Sequence, residues 1–204
     1  ALFEKNMELI KSNKIRIALG FHPELVYQYK NQIPLMWKLL DKTRYIGEVG
    51  LDLKNRTKEK KNCQIDFFSE LIEKCNYRNG KIISIHSRGS ESEIVSILNE
   101  NRKNKIILHW YSGNLKDLYS AINLNCYFSI NYSMVTTQKG QNIIKKIPLN
   151  KLLTETDSPF TKNGNRISNV EDLPSIVNEI ARLKEMDEET MKNQLFLNFT
   201  SLIE

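Results

Sequence analysis

Tyr45-Ile46-Gly47-Glu48-Val49-Gly50-Leu51-Asp52 puts a carboxylate where a hydrophobic strand ends, and the reading of this stretch decides the fold. Glu48 lies between two glycines, after a β-prone pair and ahead of a turn, so its side chain can be presented at a strand's rim without neighbouring bulk. A strand core would bury it. A carboxylate in that position is tolerable beside a cation, a proton or a solvent opening. For this segment alone the plain alternative is a strand-end glutamate in a loop.

Outward from Glu48, apolar periodicity alternates between helix and strand. Residues 2–11 keep helical spacing, and 15–21 read as a strand ending at His22-Pro23. Residues 24–29 and 35–40 are helical pieces, with Pro34 in the first turn of the second. After the Glu48 strand, 64–76 form an amphipathic helix with Cys63, Phe67, Leu71 and Cys75 one turn apart. Strands follow at 81–86, 106–109, 126–130 and 151–157, separated by helices through 98, at 114–122 and at 141–147, and helices at 172–184 and 187–195 close the chain. Such alternation implies a parallel sheet with crossover helices. A doubly wound sheet and most of an eight-stranded barrel both satisfy it. No strand is followed by a Gly-x-Gly-x-x-Gly phosphate turn, so an α/β TIM barrel, (β/α)8, is preferred.

No repeat, low-complexity tract or linker divides the 204 residues, which read as one domain over 1–204 with 40% hydrophobic content. No stretch approaches a membrane span. The start lacks an initiator Met and the layout of a secretory signal, so a cytoplasmic protein is expected. Three cysteines without CxxC spacing argue against a disulfide framework and a thiolate zinc site. The net charge of +6 and pI near 9.1 suit a partner carrying phosphates, although dispersed lysines such as Lys58, Lys60, Lys61, Lys145 and Lys146 supply it.

The chain has three histidines, His22, His86 and His109, and each ends an expected strand; Glu48 and Asp157 end two others. In a parallel barrel those ends form one face. Imidazole nitrogens and carboxylate oxygens gathered there are a ligand set for a divalent ion. His22-Pro23 reads as a rigid strand exit whose imidazole caps the turn or faces substrate. His86-Ser87-Arg88 joins a ligand to a fork suited to phosphate, the alternative for Arg88 being a salt bridge to a helix. In His109-Trp110-Tyr111-Ser112-Gly113 the aromatics either stack a base or seal the barrel top. Glu155 and Asp157, two apart on a strand, face the same way, with Asp157 the metal ligand and Glu155 orienting another ligand from below.

Gly20-Phe21-His22-Pro23, the Glu48 stretch, Ile85-His86-Ser87-Arg88, Leu108-His109-Trp110-Tyr111-Ser112-Gly113 and Thr154-Glu155-Thr156-Asp157-Ser158-Pro159 resemble, in order, the successive signatures of the TatD-type metal-dependent deoxyribonucleases of the amidohydrolase superfamily. Ser84-Ile85-His86-Ser87-Arg88, His109 to Gly113 and Cys126-Tyr127-Phe128-Ser129-Ile130-Asn131 most resemble the TatD-like component of Qat anti-phage defence systems. The resemblance implies a (β/α)8 barrel, two divalent ions (Mg, Mn or Zn) and hydrolysis of DNA phosphodiesters. Carried over, Glu48 bridges the ions, His86 and His109 hold one, Asp157 binds the other and helps orient the attacking water, and His22 and Arg88 approach the phosphate. Family members also carry a His-x-His pair on their first strand, and this chain contains none. The expectation is therefore an N-terminally incomplete barrel lacking its first two strand-helix units, since such barrels run to about 250 residues. Two other classes stay open: a non-catalytic binding component of a defence complex, with other proteins as partners, and a hydrolase of another ester or amide such as aminoacyl-tRNA.

Overall fold

The computed structural model describes residues 2–98 and 103–204. The chain divides into two compact units, Ala1–Ile106 and Ile107–Glu204. The first contains α1 (Leu2–Leu9), α2 (Pro23–Val26), α3 (Ile33–Leu39), β1 (Tyr45–Gly50), α4 (Lys58–Arg78), β2 (Ile82–His86) and α5 (Glu91–Leu98). Strand β3 (Lys105–His109) carries the boundary. The second unit continues with α6 (Leu115–Asn123), β4 (Tyr127–Ile130), α7 (Tyr132–Thr136), α8 (Gln138–Lys146), β5 (Leu152–Thr154), β6 (Lys162–Asn163), β7 (Arg166–Ile167), α9 (Leu173–Leu183) and α10 (Glu188–Ile203). The order β1-β2-β3-β4-β5 describes a five-stranded sheet, parallel at β1/β2, β3/β4 and β4/β5. No described helix is long and apolar enough to cross a membrane.

In the first unit α4 buries Phe67, Phe68, Leu71, Ile72 and Cys75 on one face. The Thr57 hydroxyl accepts from the Lys60 N–H at its start. The helix begins at Lys58, six residues before the expected 64, because its first turns are exposed and polar and carry no apolar period. In the second unit α10 runs past the expected 195. Asn198 takes a buried position one turn on from Leu195, its amide donating to the Leu149 and Leu152 carbonyls at 2.7 and 2.8 Å. A polar residue on the core face is what interrupts the pattern there.

Two strand expectations are corrected. Residues 15–21 form a single bridge, Leu19 to Ile46, rather than a strand. Ile15 is half exposed and has no strand to lie against, and β1 itself shifts register between Ile46 and Val49. The strand expected at 151–157 ends at Thr154. Asp157 has φ +50°, so strand alternation no longer sets how Glu155 and Asp157 face. The β6/β7 hairpin turns through Gly164-Asn165, a two-residue hairpin signal that the sequence carries and the helix-strand reading passes over.

Candidate metal centre

Two glycines build the position of Glu48. At Gly50, φ +134°, a Cβ would lie 2.1 Å from the His86 carbonyl oxygen, so only glycine lets β1 close on the end of β2. At Gly20 a Cβ would lie 2.3 Å from the Gly47 carbonyl oxygen. The backbone around Glu48 is then held from both sides: Phe21 N–H donates to the Glu48 carbonyl at 3.1 Å, and Leu51 N–H to that of His86 at 3.0 Å. The register irregularity falls between Ile46 and Val49, which is how a bulge re-aims a side chain.

His86 stands between two carboxylates. Its Nδ1 is 2.7 Å from Glu48 Oε1 and its Nε2 3.3 Å from Asp52 Oδ2. Asp52 is buried; its N–H donates to Gln64 Oε1 at 2.8 Å, and Arg56 Nη2 lies 3.8 Å from its Oδ1. Arg56 also bonds the Glu24 carboxylate. A neutral imidazole carries one N–H. With the proton on Nδ1 the ring donates to Glu48 at 2.7 Å; with the proton on Nε2, directed at Asp52, the Nδ1 lone pair stands next to Glu48 Oε1, where the two atoms could hold a divalent ion side by side.

His22 behaves differently. Its Nδ1 accepts the Glu24 N–H at 3.3 Å, capping α2. The neutral ring therefore carries its proton on Nε2, which is 3.7 Å from Glu48 Oε1. Burial pushes the imidazole below the usual histidine range, with Glu48 pulling the other way. The rings of His22 and His86 meet edge to face, centroids 4.9 Å apart. By proximity His22, Glu48 and His86 form one cluster able to hold an ion. On hydrogen-bonding grounds Glu48 and His86 fit as ligands, oxygen and nitrogen donors suited to a divalent ion, while His22 presents an N–H.

In the second unit His109 is buried, with Nδ1 3.5 Å from Glu155 Oε2. Glu155 accepts from Trp110 N–H at 3.1 Å, from the Asn131 amide at 3.0 Å and from the Ser129 hydroxyl. Asp157 follows β5 in a turn whose carbonyl accepts the Phe160 and Thr161 N–H groups at 2.8 and 3.2 Å. Within the first unit the structure thus brings together His22, Glu48 and His86. Within the second it pairs His109 with Glu155. Arg88 is exposed two residues beyond β2, and no ion pair to it is present among the described residues. The reading of the sequence did not assign Asp52, although it stands in the same motif four residues after Glu48.

Carboxylate and imidazole donors at the ends of parallel strands are a set suited to a divalent ion. The family model for TatD related DNase matches residues 1–204, and the chain belongs to that family of metal-dependent hydrolases. It is 29% identical over 202 residues to an uncharacterised metal-dependent hydrolase of Methanocaldococcus jannaschii, covering 94% of this chain and 77% of that one. It is 28% identical over 173 residues to the human deoxyribonuclease TATDN3, covering 77% and 63%. Among solved structures, YJJV, a TatD homologue from Escherichia coli, superposes with a TM-score of 0.84 at 21% identity, over 98% of this chain and 81% of the other. An amidohydrolase from Saccharomyces cerevisiae superposes at 0.79 and 17% identity, over 98% and 85%. At these identities the superpositions establish the fold alone.

Proposed function

We propose that the protein is a deoxyribonuclease that hydrolyses DNA phosphodiester bonds at a site for two divalent ions (Mg, Mn or Zn), within a (β/α)8 barrel acting as one domain in the cytoplasm. The observation that carries this reading is the 2.7 Å approach of His86 Nδ1 to Glu48 Oε1, with Asp52 at the other ring nitrogen. Glu48 and His86 would hold a divalent ion in the first unit, and His109 and Asp157 would serve as ligands in the second. Bound divalent ions supply an activated water and stabilise the attacking and leaving oxygens. Asp52 holds the His86 ring by accepting from Nε2, and Glu155 does the same for His109 through Nδ1. The Nε2–H of His22 donates to a phosphate oxygen, and the exposed Arg88 fork takes the same phosphate. Asp157 orients the attacking water. The test is degradation of DNA by the intact protein with Mn²⁺ or Mg²⁺, compared with Glu48→Gln. Loss in the variant is expected; equal activity in both removes Glu48 from the mechanism.

The wording of 84–88, 109–113 and 126–131 favours a role in anti-phage defence, with partner proteins of such a system. Phage plating on cells expressing the intact system with and without Glu48→Gln tests it. Equal plating on the two strains contradicts a defence role that depends on catalysis.

A further inference from the structure

Beside the metal centre the first unit holds a cleft of about 370 Å³, bounded by the segment after β1, the start of α4, the turn after β2 and α5. Leu53, Arg56, Lys58, Lys61, Ile65 and Glu93 line it. Three cations thus face one carboxylate. The volume lies within the roughly 300–1,000 Å³ of small-molecule sites, too large to be matched to a lone metal ion. Arg56 connects cleft and centre. One edge of its guanidinium meets Glu24 and Asp52, and Asp52 in turn contacts His86. The Nε–H of Arg56 is buried and finds no acceptor. Lys60, between the two lining lysines in sequence, turns away to lie 5.9 Å from the centre of the Tyr27 ring. Arg88, exposed, immediately precedes Gly89 on the cleft wall.

The lining contains no aromatic ring on which a base could stack; its polar groups are three cations, the Glu93 carboxylate and the single Asn62 amide, beside Leu53 and Ile65, so positive charge outweighs groups that could read a base edge. We propose that this cleft seats the sugar-phosphate of a DNA nucleotide next to the one being cleaved, recognising the backbone by charge and without regard to sequence. The proposal rests on the nuclease reading of the centre and adds to it where the strand runs: past Arg56, along the first turns of α4.

The test measures binding alone. A labelled single-stranded oligonucleotide is titrated with the intact protein in EDTA, so that nothing is cleaved, over a series of salt concentrations. On a single strand, each phosphate that the protein neutralises adds about 0.7 to the steepness of log affinity against log salt, so Lys58→Ala/Lys61→Ala is expected to lower that slope by about 1.4. Glu93→Gln is expected to tighten binding. Lys58 is exposed and Lys61 half-buried at the start of α4, and circular dichroism melts establish that the variant is folded. Lys38→Ala/Lys42→Ala removes the same charge at first-unit positions that do not line the cleft and is expected to leave the slope as it is. An unchanged slope in the cleft variant overturns the proposal, as does an equal fall in the control. If the slope falls as expected but Mn²⁺ and Mg²⁺ support no DNA cleavage by the unsubstituted protein, the nuclease reading fails and the backbone-binding cleft stands.

Discussion

His86 and His109 each end a parallel strand beside a carboxylate, yet the two carboxylates are held in different ways. Glu155 accepts hydrogen bonds from Trp110, Ser129 and Asn131, so its charge is answered by donors in place and its position is fixed. Glu48 instead meets two imidazoles, His86 at 2.7 Å and His22 at 3.7 Å. A carboxylate surrounded by amide and hydroxyl donors is built to orient a neighbour. One that meets two imidazoles is where the proposed metal centre would share a cation. On that proposal the same two residue types at the same kind of strand end would serve different roles.

The contrast breaks first at Asp52. Asp52→Asn is expected to lower metal-supported activity and metal affinity by about 10–100-fold, as for outer partners of metal-ligating histidines. An unchanged metal affinity would mean that Asp52 does not hold the His86 ring. Glu155→Gln should act on stability more than Asp52→Asn does, because an amide NH₂ is turned against established donors; about 1–3 kcal/mol is expected in a denaturant titration. Equal destabilisation by the two substitutions would erase the difference between the two carboxylates.

Each unit also sets a lysine ammonium against backbone carbonyls, buried at Lys81 and half-buried at Lys184. Lys81 donates to Leu40 and Thr43 in the first, and Lys184 to Lys145 and Ile147 in the second. Burial pushes Lys184 from 10.5 down to about 8. Its folded value lies below the unfolded one, so the charged form costs stability below about pH 8, and that cost is relieved as pH rises from 8 to 10.5. The stability of the protein relative to Lys184→Met is expected to rise over that window; a fall would reverse the sign assigned to burial. The smallest effect concerns the thiols. Burial pushes Cys75 up to about 11 and Cys126 up to about 12, while Cys63 is raised less and is partly exposed. A thiol reagent at neutral pH is expected to modify Cys63 before the other two in the native protein. Simultaneous modification of all three would show that neither unit keeps its core closed.

The parallel order and most elements are legible in the sequence because buried strands such as Ile82–His86 and Lys105–His109 are short apolar runs, and the helices between them carry a 3.6-residue period. The Glu48–His86 pairing is legible only as a shared strand end. Its closeness depends on Gly20 and Gly50 letting backbones touch, which no periodicity records. Residues 15–21 look like a strand because Ile15, Ile17 and Leu19 alternate, but pairing needs a regular neighbour, and β1 shifts register where that neighbour should be. Asp157 looks like a strand residue for the same reason, and its left-handed backbone follows from the turn that takes up the chain after Thr154. Asp52 lies beyond the strand in a segment without pattern, so its contact with His86 emerges only from the folded loop.

The most direct measurement is calorimetric titration of Mn²⁺ into the metal-stripped intact protein and into its Glu48→Gln and His86→Ala variants. A carboxylate-imidazole pair that shares a cation predicts saturable binding to the unsubstituted protein and a loss of at least about 100-fold in affinity in each variant, more than outer partners alone would cost. Affinity that survives unchanged in both variants would contradict a metal centre built on Glu48 and His86.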